Sequence, residues 1–253
     1  MQDLLNLAVM AAKDAGKEIL KHYEKFEIYE KEDKSPLTTA DLAANEIIFQ
    51  ILGKSGIPIC SEESILSADE RKNAEMFWLV DPLDGTKEFI ARNGEFCVCI
   101  ALIKAGRPIL SAIYIPISDE LFYSNGGGVV YKNGEILPKC DRTPNLFLLG
   151  RHGNSAKRTE LASKFGYELK RIGSAIKFCR ICENKASAYS RLGPSSLWDI
   201  AAGDFLVVQS GGIIIDLKTR ELPRYDGESL ENDPYLVLDR NNVKFLDEML
   251  RNL

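Results

Sequence analysis

The apolar run Phe77-Trp78-Leu79-Val80 breaks off into Asp81-Pro82-Leu83-Asp84-Gly85-Thr86, and that junction constrains the fold more than any other stretch of the chain. Four uncharged residues suit a buried strand, and carboxylates cannot follow it into an apolar core without partners. A strand end is where an α/β protein exposes such groups without unravelling its sheet. Pro82 and Gly85 shape the turn, so Asp81 and Asp84 can converge on one point, joined by the Leu83 carbonyl. Oxygen-only ligands of this kind suit a hard cation such as Mg²⁺. A plain turn would use the same Asp-Pro-x-Asp-Gly residues.

Three further acidic elements accompany it. Ile59-Cys60 runs into Ser61-Glu62-Glu63-Ser64, which sets Glu62 at an equivalent strand end, although a solvated loop would read the same way. Asp33 precedes Ser35-Pro36-Leu37-Thr38-Thr39-Ala40-Asp41, where its side chain is free to reach a site. Asp41 itself reads as the cap or first-turn charge of the helix that follows. Trp198-Asp199-Ile200-Ala201-Ala202-Gly203 places an Asp at the opening of an apolar helix, where it would equally serve the helix dipole.

The rest of the chain supplies the frame. Leu4, Leu7, Ala8, Ala11, Ala15, Ile19 and Tyr23 follow the spacing of one buried helical stripe. A second helix is expected from Thr39 or Asp41 to a C-cap at Gly53, with Leu42, Ile47, Ile48 and Ile51 apolar. Residues 96–104, 107–116 and 120–124 alternate as a meander. After about residue 145 strands and helices alternate: strand 146–150, helix 155–165, strand 167–172, helices 174–184 and 197–209, strands 212–217 and 235–238, helix 241–252. The expected fold class is therefore α/β (α+β), an N-terminal α+β half (1–144) with most of the acids and a C-terminal α/β half (145–253), sharing one site.

Composition excludes several functions. The 253 residues carry a formal charge of −5, so no general basic surface for nucleic acid is expected. No run approaches a membrane span, and Asp3, Lys13, Asp14, Lys17 and Glu18 interrupt anything like a signal peptide, so a cytoplasmic location is expected. Cys97 and Cys99 should face one side of a strand. Cys179-x-x-Cys182 lies on a helix with no second pair at zinc spacing, and reduced, mostly buried thiols are the reading preferred over a zinc or redox role. Gly126-Gly127-Gly128 lacks the Lys-Ser/Thr of a P-loop and reads as a turn.

Taken in order, D-P-L-D-G-T at 81–86, E-E at 62–63 and W-D-x-A-A-G at 198–203 resemble the inositol monophosphatase superfamily of lithium-sensitive, Mg²⁺-dependent phosphatases, over nearly the whole chain. D-P-L-D-G-T-K-E-F at 81–89, D-x-S-P-x-T-x-A-D at 33–41, G-S-x-x-K-x-C at 173–179 and Tyr189 to Pro194 are similar to its CysQ-type 3′(2′),5′-bisphosphate nucleotidases. The resemblance implies a layered α/β/α/β/α sandwich of the sugar phosphatase type and two or three Mg²⁺ ions on Glu62, Asp81, Asp84, Asp199 and the Leu83 carbonyl. It further implies that Asp33 and Thr86 orient the attacking water, and that Gly85, Thr86, Ser174, Lys177 and Arg191 hold the substrate, with His152 nearby. Gly150-Arg151-His152-Gly153 departs from the Ser-Arg-Ser-His-like stretch of relatives, and Leu197 stands where an acidic residue is common.

A phosphate monoester resists attack because its anionic oxygens repel a nucleophile. Clustered carboxylates gather the metal ions that activate water and stabilise the leaving oxygen. Lys177, near the start of its helix, and Arg191 would grip a second phosphate, although each would also serve as a solvent-facing or ion-paired surface residue. Only His22 and His152 are present, so histidine-based mechanisms are poorly supplied. The expected reaction is hydrolysis of 3′-phosphoadenosine 5′-phosphate to AMP and phosphate in sulfate assimilation, with the 5′-phosphosulfate as a second substrate. Inositol monophosphate, fructose bisphosphate and NADP are the rival substrates, and a non-catalytic nucleotide or metal sensor is the rival class. The expected partner is thus a small molecule, and either a monomer or a homodimer is compatible with the sequence.

Overall fold

Small residues dictate how the first two helices meet. In the computed structural model, which describes residues 1–31, 34–152 and 156–253, Ala8, Ala11, Ala12 and Ala15 line the buried side of α1 (Gln2–His22) with Leu5 and Ile19. A short antiparallel pair, β1 (Ile28–Glu30) and β2 (Pro36–Thr38), leads into α2 (Thr39–Leu52), which lies against α1. Leu42 is 46% exposed, contrary to the expected stripe, while Ile48 and Ile51 are buried. Gly53 is the C-cap of α2, as expected, but in right-handed backbone, φ −56°. It continues into a 3-10 turn (Gly53–Ser55), and the left-handed residue is Gly56, φ +69°.

Next come β3 (Ile59–Ser61), α3 (Ala68–Asn73), β4 (Met76–Asp84), α4 (Thr86–Ile90), β5 (Cys97–Lys104), β6 (Arg107–Ile115), β7 (Glu120–Ser124), β8 (Tyr131–Lys132) and β9 (Glu135–Ile136). The seven strands form one sheet in sequence order, parallel only between β3 and β4. Its central strands β4 and β5 carry the unbroken apolar runs Phe77–Val80 and Cys97–Ile103 because both faces are covered there. Trp78, Val80, Val98, Ile100 and Leu102 join the core beneath α1 and α2, whereas Phe77, Leu79, Cys97, Cys99 and Ala101 join a core on the other face.

The second sheet has the order β11 (Glu168–Arg171), β10 (Leu146–Leu149), β12 (Ala188–Arg191), β14 (Tyr235–Leu238), β13 (Ile213–Asp216). Between the sheets lie α6 (Ile176–Cys182) and α7 (Leu197–Gln209), whose Phe178, Trp198, Ala201 and Leu206 share a core with Leu79 on one side and with Leu148, Tyr189 and Val237 on the other. Outside, α5 (Ala156–Lys164) and α8 (Leu246–Leu250) cover Phe147, Leu149, Leu236 and Leu238. The layers are therefore α/β/α/β/α, as expected. β12 is a strand the sequence pattern does not announce: Ala-Tyr-Ser-Arg is a weak strand former, held by ladders on both sides. The last helix is shorter than 241–252, a 3-10 turn (Val243–Phe245) preceding α8. Among the described residues no helix is long and apolar enough to cross a membrane.

Candidate active site

Because β3 and β4 run parallel with Ser61 opposite Val80, they end at the same edge of the sheet. Glu62 leaves that edge with its backbone N–H donating to the Val80 carbonyl at 3.1 Å. Asp81 and Asp84 follow on β4. Three residues apart, they would point to opposite faces of a regular strand. A bulge between them absorbs one residue, so that Asp81 pairs with Cys99 and Asp84 with Cys97. Cys97 and Cys99 share a face, their sulfurs 3.8 Å apart, and Asp84 Oδ2 lies 3.9 Å from Cys97 Sγ. Both carboxylates thus turn toward the helical middle layer, and Pro82 sits in the bulge, where a missing N–H costs little.

Two turns complete the cluster. Asp84 Oδ2 accepts from the Ala175 N–H. That approach needs Gly85, which has φ +97° and whose Cβ would stand 2.9 Å from the Glu95 carbonyl and 3.2 Å from Ser174 Cβ. Asp199 lies in the first turn of α7, where one oxygen accepts from Ser196 N at 3.1 Å as half of a capping box. The dipole reading of Asp199 is therefore correct, and it coexists with a place beside Asp84 on the same cavity wall.

Thr86 has a partner that the sequence reading did not assign to it. Its Oγ1 lies 3.1 Å from Asp41 Oδ1 and 3.3 Å from the Leu83 carbonyl. Asp33, the expected partner, falls outside the described residues. Asp41 does cap α2, its Oδ2 accepting from Thr38 N at 2.7 Å, but its other oxygen faces Thr86. A cap uses only one oxygen of a carboxylate.

The electrostatics mark a site that wants cations. Burial first, and then the charges of Glu62, Asp84 and Asp199, hold the Asp81 carboxyl well above the ordinary range. Burial pushes Asp84 to about 6, against the pull of Lys177 and the Ala175 N–H, and pushes Asp199 to about 7, with Asp84 adding repulsion. Burial also raises Asp41 and Glu63. Lys31, from the β1–β2 connection, places Nζ 2.7 Å from both Glu62 Oε1 and Glu63 Oε1. An all-oxygen donor set with an ammonium seated on it fits a hard divalent cation.

Beside the acids opens a cavity of about 370 Å³ whose walls include Asp84, Gly85, Ser174, Lys177, Arg191 and Asp199. His152 is on the rim, with Nε2 3.2 Å from Glu88 Oε1. Lys177 lies in the first turn of α6, as expected, but its amine turns back to backbone carbonyls. It is buried, its Nζ donates to the Ile172 carbonyl at 3.3 Å and to the Ser174 carbonyl, and it lies 5.0 Å above the Tyr189 ring. Two of its three N–H bonds thus brace the 172–174 turn. Arg191 folds back onto the Pro194 carbonyl at 3.0 and 2.6 Å. Arg151 and Arg158 also line the cavity, and Arg151 grips Glu95 at 2.5 and 2.6 Å while Glu95 accepts from Gly173 N at 2.6 Å. Lys31 and Asp41 contact the candidate site, and Arg151 and Arg158 line its cavity, none of them singled out for the site by the sequence reading. Only Asp41 carried a usable signal, its place in the same T-x-A-D stretch as the Thr38 cap.

The family model for the inositol monophosphatase family matches residues 1–243. A "3′(2′),5′-bisphosphate nucleotidase CysQ" of Salmonella typhimurium is 36% identical over 243 residues, covering 92% of this chain and 99% of that protein. The protein of the same name from Escherichia coli K12 is 35% identical over 244 residues, with the same coverage. Among solved structures, CysQ from Bacteroides thetaiotaomicron, described as a bacterial member of the inositol monophosphatase family, superposes with a TM-score of 0.85 at 35% identity, covering 95% of this chain and 98% of that one. The Thermotoga maritima IMPase superposes at 0.82 with 20% identity, a likeness of fold alone. Matched along nearly its whole length in sequence and in layer order, the chain belongs to the inositol monophosphatase family.

Proposed function

We propose that the chain is a Mg²⁺-dependent bisphosphate nucleotidase that acts in the cytoplasm and hydrolyses 3′-phosphoadenosine 5′-phosphate to AMP and phosphate. The observation that carries this reading is Asp84 and Asp199 on the wall of a cavity whose other walls are rich in cations, with Asp81 and Glu62 close enough to join them in one repulsive cluster. The printed names of relatives at 35–36% identity over 92% of the chain support the same substrate class. Residues 1–144 supply most of the acids, residues 145–253 supply Asp199 and most of the cationic wall, and the site belongs to both halves.

Glu62, Asp81, Asp84, Asp199 and the Leu83 carbonyl would hold two or three Mg²⁺ ions, which when bound supply charge neutralisation and a more acidic water. The chain's own part is proton handling and anchoring. Thr86 Oγ1 donates to Asp41, which leaves the hydroxyl oxygen to accept a hydrogen bond from water and fix its direction. Asp41, raised by burial, takes a proton more readily than an exposed carboxylate would. A substrate phosphate not under attack would lie between Ser174, Arg191 and the rim at Gly85 and His152, with Lys177 bracing the turn beneath it.

The test compares phosphate release from 3′-phosphoadenosine 5′-phosphate with release from inositol 1-phosphate, fructose 1,6-bisphosphate and NADP, all with Mg²⁺ and an Asp84→Asn control. Rapid release from the nucleotide bisphosphate that the substitution abolishes supports the proposal. Faster turnover of inositol 1-phosphate overturns the substrate, and no release from any ester overturns the enzyme.

A further inference from the structure

Directly behind the acidic cluster lie two thiols that the phosphatase reading does not use. Cys97 and Cys99 are alternate residues of β5, so both project from one face of the sheet, and they are 0% and 1% exposed. Their sulfurs are 3.8 Å apart. Two thiolates bound to one zinc at about 2.3 Å with tetrahedral geometry stand about 3.8 Å apart, so the pair already has the spacing of one edge of a zinc tetrahedron. Asp84 Oδ2, 3.9 Å from Cys97 Sγ, offers a third corner, and the three donor atoms fall within 4.8 Å of one another. Asp84 and Ser174 form the cavity wall between these thiols and the open space, and Ser174 Oγ is 3.6 Å from Cys97 Sγ.

We propose that Cys97, Cys99 and Asp84 constitute a second cation site, selective for thiophilic divalent ions of the zinc and cadmium kind. Thiolates prefer such ions, whereas Mg²⁺ prefers the all-oxygen cluster next door. The step is coordination without redox change: one divalent ion enters, two S–H bonds break, two metal–sulfur bonds form and two protons leave to solvent. Asp84 adds its carboxylate and is withdrawn from the other acids. If the phosphatase reading holds, an ion here inhibits hydrolysis by taking one magnesium ligand away, although the site itself does not depend on that reading.

The experiment titrates the reduced, metal-free full-length chain with cadmium chloride, in the absence of substrate and magnesium, and follows the ultraviolet thiolate-to-cadmium charge-transfer band. One ion per chain is expected, with affinity lowered roughly 10-fold or more in Cys97→Ser and in Cys99→Ser and also in Asp84→Asn, and unchanged in Cys140→Ser. A band that survives both buried-cysteine substitutions, that vanishes in Cys140→Ser, or that never develops overturns the site. X-ray absorption at the cadmium edge on the wild-type chain tests the same point without substitution. Two sulfur neighbours support the proposal, and an oxygen-only shell refutes it. Since the readout needs neither substrate nor magnesium, its failure and a failure of the phosphatase reading remain distinct.

Discussion

Asp199→Asn should stabilise the metal-free protein at pH 8 while removing one of the proposed metal ligands. The change is nearly isosteric, and an Asn oxygen can still accept from Ser196 N, so the capping arm at 3.1 Å survives. What disappears is a negative charge beside Asp84, Asp81 and Glu62. Burial and these neighbours lift the Asp199 carboxyl from 3.8 to about 7 in the fold. An acid raised in this way stabilises the folded state fully below about 3.8, and loses that contribution as pH climbs through about 7. The whole shift corresponds to ~4 kcal/mol at pH 8. Asp199 keeps an edge open to the cavity and shares its proton affinity with Asp84, so ~2 kcal/mol is the working figure. For a chain of this size that raises Tm by roughly 4–8 °C. Thermal melts in EDTA from pH 8 downward read it directly: the variant's advantage should be largely gone by pH 4 and vanish below about 3.8, where both states carry the proton. Added Mg²⁺ should raise the wild-type Tm much more than the variant's. A variant less stable than wild type at pH 8, or an advantage independent of pH, would refute the idea that like-charge crowding at this site opposes folding.

Other outcomes follow from named contacts. Lys31→Met removes the ammonium seated on Glu62 and Glu63; two partly exposed charge-assisted hydrogen bonds are worth about 1–2 kcal/mol, so Mn²⁺ should bind roughly 5- to 30-fold more tightly by calorimetry. Unchanged or weaker binding counts against Lys31 as an internal competitor. Thr86→Val should lower kcat roughly 10²- to 10³-fold with Mn²⁺ affinity preserved, because it deletes the hydroxyl on Asp41 that is proposed to direct the water. If metal affinity falls in step with kcat, Thr86 serves the cluster and not the water. Gly85→Ala, at φ +97° with its Cβ 2.9 Å from the Glu95 carbonyl, should cost roughly 2–3 kcal/mol in urea unfolding and slow hydrolysis by moving Asp84 from Ala175. A neutral result would mean that the 173–175 turn can retreat.

The layer order was legible because its signals are local. Alternate residues of 77–80 and 97–102 feed two different cores, which is why these runs are apolar throughout, and an amphipathic stripe marks α1. β12 escaped because Ala188 to Arg191 owe their extended form to neighbours on both sides, a tertiary effect that no window of sequence contains. The acidic cluster was legible because each of its members stands at a strand end or a helix start. The parallel pairing of β3 and β4, and the bulge at Pro82-Leu83, decide that these ends coincide. The role of Asp41 was hidden by a true but incomplete reading: it does cap α2, and its second oxygen reaches Thr86 only once α4 has folded against that helix start. Lys177 was read from helix position alone, and the carbonyls of Ile172 and Ser174 that capture its amine come from a turn whose path is set by Gly85.

Asp41 and Asp199 each tie down the opening turn of a helix with the same carboxyl group that faces the site. Alanine scanning at either position would therefore confound loss of chemistry with fraying of the scaffold and overstate the former. Asparagine separates the two, since it keeps an acceptor for the helix and gives up the charge. The same logic shapes how such a chain could drift into a binding-only descendant: the accessible path runs through amides at these two positions, and Asn at 41 or 199 in an otherwise intact relative would be the mark of a retired catalyst.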